Sequence, residues 1–307
     1  MKTSPKTIKT GINLLLFTLL SISAYAQKLN SVQEESVWAP INVKIDAKAT
    51  EWGDTFRAFN KATDIFYTMA NDDANLYIVI KSTNQVNNNK ILGGGIDITM
   101  NTAGKKKEKD AYVIAFPVVD IANLRSQVMQ GMRAMRGGGP GGPGAPQAPD
   151  SAAIAAMRKK AVSAAKQIKL LGFAKDVPDT LISIYNEYDI KASANFDNKG
   201  SLIIEMALPL KYLHLSGKSE EFAYNIRLNG IQINAIFPGA SAMMQGGAPG
   251  GGGGGGGFGG GGGGFGGGMP GGGGGGMPRG MADFASMLSP TDFWAKYVLA
   301  KNIKVMR

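Results

Sequence analysis

Short apolar segments, separated by clusters of Asn, Asp and Gly, constrain the fold of this chain more than any other feature of its sequence. Such clusters favour turns, because Asn and Asp tolerate a left-handed backbone and accept hydrogen bonds from nearby amides. The pair Asn229-Gly230 is the strongest hairpin signal. Short strands with frequent turns predict a mainly β chain, folded as an antiparallel β-sandwich of the jelly-roll or immunoglobulin-like type. The predicted strands span residues 63–70, 75–82, 94–100, 111–119, 189–196, 202–208, 221–228, 231–236 and 296–304.

Two low-complexity stretches interrupt these strands. Residues 137–149 are rich in Gly, Pro and Ala, and 26 of the 35 residues in 246–280 are glycine. Glycine loses the most conformational entropy on ordering, and these stretches have almost no apolar side chains to offset that loss. Both are therefore predicted to be disordered.

Two helices are predicted beside the first low-complexity stretch. Asp150 is a suitable N-cap for residues 151–171, in which apolar side chains recur every three or four residues, and 121–136 is a partner helix. Residues 27–307 are thus predicted to form one β-sandwich domain with two inserts. The first insert, residues 121–178, is helical with a Gly/Pro-rich tip, and the second, residues 241–284, is Gly-rich and disordered.

Residues 1–26 are predicted to be a signal peptide. Three lysines precede an apolar run at residues 12–22, and Ala24-Tyr25-Ala26 matches a small-x-small cleavage site. The expected mature protein begins at Gln27 and is exported to the periplasm, the outer surface or the cell exterior. No later stretch approaches the twenty apolar residues of a membrane-spanning helix.

Charge and cysteine content exclude several classes of function. The chain has no cysteine, which excludes disulfides, thiol catalysis and cysteine-ligated zinc. The formal net charge is +10, but the basic residues are spread along the chain and predict no specific nucleic-acid partner. The densest clusters, at residues 105–107 and 158–160, are interpreted as solvated surface, with attraction to anionic glycans or envelope components as the alternative.

Three segments together resemble a known family. Residues 43–52 contain Asp46, Glu51 and Trp52; the turn 71–73 precedes a second apolar run; and residues 201–210 contain Glu205 and Pro209. In this order they resemble carbohydrate-binding module family nine and its DOMON-like relatives. The resemblance implies an exported β-sandwich that binds a glycan, in which these residues form the structural motif.

Tryptophans are the candidate sugar-binding residues, because aromatic faces stack on the C–H surfaces of pyranose rings. Trp52 belongs to the motif of the resemblance and is predicted to lie in the core. Trp38 and Trp294 flank the domain near its two ends, and each is interpreted either as a stacking platform or as a seal at a sandwich edge.

Metal and cofactor binding is less well supported. Asp72, Asp73 and Asn75 present hard oxygens that suit calcium, although turn chemistry alone explains them, and no cofactor is expected. The resemblance also admits haem binding, for which the only histidine, His214, and Met206 are candidates. Three methionines at a spacing of three residues could hold Cu(I): Met129, Met132 and Met135.

The sequence leaves three functions open. The first is an exported non-catalytic module that binds a glycan or a glycan-like ligand. The second is a structural envelope protein that uses its inserts for assembly, and the third is a haem or copper carrier. An enzyme is not expected, because the sequence shows no nucleophile elbow, metal triad or phosphate-binding loop.

Overall fold

The computed structural model describes two antiparallel β-sheets that pack face to face. It describes residues 29–53, 55–122, 125–126, 129, 151–215, 220–237 and 279–302. The predicted signal peptide, the first low-complexity stretch and residues 246–278 of the second lie outside these ranges, and the predictions about them stay predictions. The mainly β, antiparallel fold predicted from the sequence is confirmed.

Eleven strands make up the two sheets within the described residues. They are β1 Ala58–Asn60, β2 Ile65–Asn71, β3 Asn75–Ser82, β4 Ile96–Asn101, β5 Tyr112–Phe116, β6 Gln167–Leu171, β7 Leu181–Ser183, β8 Lys191–Phe196, β9 Leu202–Pro209, β10 Glu221–Leu228 and β11 Thr291–Val298. One sheet has the order β1-β2-β3-β9-β8, and the other has the order β11-β10-β4-β5-β6-β7.

Several α-helices connect or flank the strands in the described part of the chain. They include α1 Gln85–Gly94, α2 Ser151–Ser163, α3 Ile233–Ile236 and α4 Arg279–Leu288. Residues 121–122, 125–126 and 129, which belong to the helix predicted over 121–136, are also helical. The Asn84 side chain caps α1 by accepting a hydrogen bond from the Val86 amide at 2.8 Å. None of the described helices is long and apolar enough to cross a bilayer.

The main core lies between the sheets. It contains the inward-facing residues of every central strand, and at its middle the hydroxyl groups of Tyr67 and Tyr224 are 2.9 Å apart. Pairing two hydroxyls in this way satisfies polar groups that would be costly to bury alone. The two tyrosines join the five-stranded sheet to the six-stranded one.

A second core covers the outer face of the five-stranded sheet. Residues 37–53 cross this face and bury Ala47, Ala49 and Trp52 against Val79 and Ile203. Every residue of β9 is buried as a result, because one face of that strand meets the main core and the other meets this second cluster. The double burial explains why residues 202–209 are almost continuously apolar.

The predicted hairpin at Asn229-Gly230 is wrong, because residues 233–236 form α3 instead of a strand. Both edges of β10 are already paired, with β4 on one side and β11 on the other, so no returning strand can join it. Gly230 instead lies against the end of α4, where a Cβ atom would be only 1.8 Å from the Leu288 carbonyl oxygen. Glycine is required here by close backbone approach.

Three other predicted boundaries also differ from the structure. The helix predicted over residues 151–171 ends at Ser163, and residues 167–171 form β6, whose exposure alternates between the two faces. The last strand spans residues 291–298 rather than 296–304. Within the second predicted insert, residues 279–284 belong to α4.

Candidate functional site

A cleft of about 790 Å³ opens on the outer face of the five-stranded sheet, beside the second core. All three segments of the sequence motif contribute to it, and β8 completes it. The lining residues are Val43, Lys44, Ile45, Asp73, Ala74, Asn75, Tyr77, Asp189, Lys191, Ala207, Pro209, Leu210 and Lys211.

The register of the sheet sets the width of the cleft. Tyr77 of β3 pairs with Ala207 of β9, which in turn pairs with Lys191 of β8. Neighbouring strands lie about 4.8 Å apart, so Tyr77 and Lys191 stand roughly 10 Å apart with a methyl group between them. The small Ala207 side chain therefore forms the floor, and the two larger side chains flank it.

The wall formed by residues 43–45 is held in place by Glu205. This side chain is 0% exposed, and its carboxylate accepts hydrogen bonds from the backbone amides of Asp46 at 3.0 Å, Ala47 at 2.7 Å and Ala49 at 3.1 Å. Ala47 and Ala49 adopt a left-handed backbone that helps to turn these amides toward one point. Burial raises the pKa of Glu205, and the amides of Ala47 and Asp46 oppose that rise.

Tyr77 forms a rigid side of the cleft. Its hydroxyl group donates to Asp72 Oδ2 at 2.7 Å, while Asp72 Oδ1 accepts from the amides of Ala74 and Asn75. The Trp52 ring packs behind it, with ring centroids 6.2 Å apart. Burial, followed by the hydrogen bond and the charge of Asp72, raises the pKa of Tyr77 to about 12.

Five charged side chains line the cleft. Lys44, Lys191 and Lys211 each come from a different segment, and Asp73 and Asp189 are the two acids. Lys191 lies 3.8 Å from Asp189, and both side chains are more than half exposed, so this ion pair is weak. The Lys211 ammonium group lies 4.8 Å from the centre of the Tyr212 ring. The cleft thus has one more positive than negative group.

None of the three tryptophans considered in the sequence analysis lines this cleft. Trp52 is 7% exposed and belongs to the second core. Trp38 is half-buried and forms an isolated parallel β-bridge with Asn71 at the end of β2. Trp294 is half-buried on β11, the edge strand of the six-stranded sheet. A stacking role for Trp38 or Trp294 stays a prediction.

The remaining residues of the motif have structural positions. Asp46 accepts a hydrogen bond from the Lys48 amide at 3.0 Å and pairs with the Lys48 ammonium group at 2.9 Å. Glu51 lies in a short 3-10 turn, Thr50–Trp52, and Pro209 ends β9 where the cleft begins.

Of the three calcium candidates, Asp72 is engaged by the protein itself. Both carboxylate oxygens of Asp72 accept hydrogen bonds, and Asp73 and Asn75 line the cleft beside it. Among the described residues, no three His, Cys, Asp or Glu side chains form a group able to hold a metal ion. The turn chemistry of residues 71–75 thus accounts for their oxygens.

The haem and copper candidates are not brought together in the described structure. His214 Nε2 lies 2.6 Å from Asp176 Oδ2 near the surface, whereas Met206 is buried in the main core. Met129 is described and exposed, but Met132 and Met135 lie outside the described residues.

Sequence reasoning missed Tyr77 and the three lysines as site residues. The alternation of side chains in β3, β8 and β9 places Tyr77, Lys191 and Ala207 on one face of the sheet, but whether they are neighbours depends on which strands pair.

Comparisons with known protein families, with curated proteins and with solved structures found no significant match.

Proposed function

We propose that the protein is an exported, non-catalytic module that binds a glycan or a glycan-like ligand in the cleft. One observation carries this proposal: the three sequence segments that resemble a sugar-binding family are separate in the chain, and the third follows the second by more than a hundred residues, yet all of them line one cleft. A shared structural role would require these segments to meet, but it would not require them to leave a cavity between them.

The chemistry of the cleft suits a ligand with many hydroxyl groups. Its volume of about 790 Å³ falls within the range of small-molecule sites. Asp73 accepts hydrogen bonds, the lysines donate them, and the Asn75 amide does both. The hydrogen bonds of Glu205 and of Asp72 fix the backbone of residues 46–49 and 74–75 around the cleft, so little backbone order has to be gained on binding.

The lining offers no pair of a Ser, Thr or Cys nucleophile with a histidine base. It contains no Ser, Thr, Cys or His side chain, so no nucleophile and imidazole base face each other in the cleft. Its two carboxyl groups are those of Asp73, before β3, and Asp189, before β8. A pair of carboxyl groups can hydrolyse a glycosidic bond, so release of reducing sugar ends is the assay that tests for turnover.

A structural role in the envelope is a second candidate, which one observation favours. Leu171 on β6 and Leu181 on β7 are 44% and 46% exposed on the outer face of the six-stranded sheet. Both side chains lie on one face of the paired strands β6 and β7, and a contiguous exposed apolar patch marks an interaction surface. Analytical ultracentrifugation of the mature protein and of its Leu171→Ser/Leu181→Ser variant tests this role: a change in oligomeric state supports assembly through this face.

A glycan array followed by isothermal titration calorimetry tests the binding proposal. Asn75→Ala should weaken binding by about 0.5–1.5 kcal/mol through the loss of amide hydrogen bonds. The turn should survive, because Asp72 bonds to the backbone amide of residue 75 and not to its side chain.

Two tryptophan variants serve as controls. Trp38→Ala and Trp294→Ala remove aromatic rings that lie outside the cleft, so binding should be unchanged in folded protein. Binding that is lost only in a tryptophan variant overturns the assignment of the cleft. Release of reducing sugar ends from a bound glycan overturns the non-catalytic assignment.

A further inference from the structure

We infer that the ligand of the cleft is an acidic saccharide, one that carries carboxylate or sulfate groups. This inference rests on the proposed function and narrows it to one class of ligand. It is based on two features of the cleft. Three lysines line it, and its aromatic lining residue, Tyr77, is almost fully buried.

The three lysines of the cleft come from different segments. Lys44 belongs to the wall of residues 43–45, Lys191 belongs to β8, and Lys211 follows the end of β9. Because each belongs to a separate segment, their shared position is a product of the fold and not of local sequence. A ligand in the cleft would therefore meet positive charge from three separate segments.

These lysines are available to a ligand. Lys44 and Lys211 are exposed, and neither forms an ion pair with any residue that the structure describes. Lys191 has only a loose partner, Asp189, at 3.8 Å. Hydrogen bonds between ammonium and carboxylate or sulfate oxygens are stronger than those between neutral groups. An anionic ligand thus gains more here than a neutral one.

Stacking cannot supply the main contact. Tyr77, the sole aromatic residue among the lining side chains, is 8% exposed, and its hydroxyl group is already bonded to Asp72. A neutral sugar normally needs an open aromatic face. Recognition in this cleft therefore has to come from hydrogen bonds and charge. Asp73 and Asp189 limit the excess of positive charge and would bind sugar hydroxyl groups instead.

Calorimetry on the mature full chain tests the inference with three probes. They are an oligouronate, the same oligosaccharide after reduction of its carboxyl groups to alcohols, and a sulfated oligosaccharide of equal length. The oligouronate or the sulfated probe should bind at least about tenfold more tightly than the neutral one at low salt, and the advantage should shrink at high salt. Whichever acidic probe binds more tightly identifies the anionic group.

Matched variants locate the effect. Lys44→Gln, Lys191→Gln and Lys211→Gln should each weaken binding of the acidic probe roughly two- to fivefold, the range for exposed charge pairs. Lys199→Gln removes the same charge from the exposed turn between β8 and β9, outside the cleft, and should leave binding unchanged. An equal loss in Lys199→Gln means attraction to the whole protein and overturns the inference.

The outcomes separate this inference from the proposed function. If the neutral probe binds as tightly as the acidic ones, the proposed function stands and the inference fails. If none of the three probes binds, and the glycan array is also negative, both fail. Preferential binding of an acidic probe that is lost in the cleft variants and kept in Lys199→Gln supports both.

Discussion

Replacing Glu205 by alanine should loosen one wall of the cleft without disrupting the main core. The substitution removes the acceptor of three backbone N–H groups, those of Asp46, Ala47 and Ala49. A buried donor left without a partner costs about 1–3 kcal/mol. Residues 46–49 can move toward water, and the substitution also removes a buried charge, so each of the three donors should cost about 1 kcal/mol, the lower end of this range. The expected loss in free energy of unfolding is about 3 kcal/mol.

Urea denaturation measures the total loss, and hydrogen exchange locates it. The amides of residues 46, 47 and 49 should exchange much faster in Glu205→Ala, whereas those of β4 and β10 in the other sheet should change only through the lower global stability. Glu205→Gln is the matched control. It keeps one acceptor oxygen, which can serve Asp46 and Ala47, so its loss should be smaller than that of the alanine variant.

Either of two results would contradict this role of Glu205. One is a loss below about 1 kcal/mol in Glu205→Ala, which would mean that the three amides find water or other partners at no cost. The other is unchanged exchange at residues 46–49 in a destabilised variant, which would place the cost elsewhere.

Three further predictions concern the residues around the cleft. Trp52→Ala should cost about 3–5 kcal/mol in urea denaturation, the range for a buried aromatic ring, and a loss under 1 kcal/mol would contradict its place in the second core. Tyr77→Phe removes the bond to Asp72 and should destabilise the protein at neutral pH. The pKa of Tyr77 is raised to about 12, so the hydroxyl group should stabilise the protein below about pH 10 and stop doing so as the pH rises through about 12. The free energies of unfolding of wild type and variant should therefore converge at high pH, and a constant difference across the pH range would contradict this. Asn71→Asp replaces an amide that donates to the carbonyl groups of Asp72 and Ala300, and should cost about 2–4 kcal/mol; a stability equal to wild type would refute it.

Local sequence signals predict the β-sandwich because strands and turns are specified locally. Alternating or apolar runs set the strands, and residues such as Asp72 and Gly200 set the turns between them. The same signals fail where the pairing of strands decides whether a segment becomes a strand or a helix. Residues 231–236 have strand-like composition, but β10 has no free edge for them. Residues 167–171 fit a helical stripe, yet they pair with β5.

The candidate site was harder to predict than the fold. Glu205 is recognisable as an acid within an apolar run, although its partners 156 to 159 residues away are not. Lys44, Lys191 and Lys211 look like ordinary surface lysines in the sequence, since exposed lysines are common. Strand register places Lys191 beside Ala207, whereas Lys44 and Lys211 lie outside the strands and reach the cleft through the packing of residues 43–45 and of the turn after β9. All three positions depend on long-range packing.

Hydrogen exchange of the purified protein, with and without the tightest-binding oligosaccharide, tests the central claim most directly. If the cleft binds the glycan, amides in four separate stretches should be protected together: residues 43–47, 73–77, 189–192 and 207–211. Peptides that contain Trp294 should exchange as in the free protein. Protection confined to β11 or to the N-terminal residues around Trp38, with the four stretches unchanged, would contradict the account.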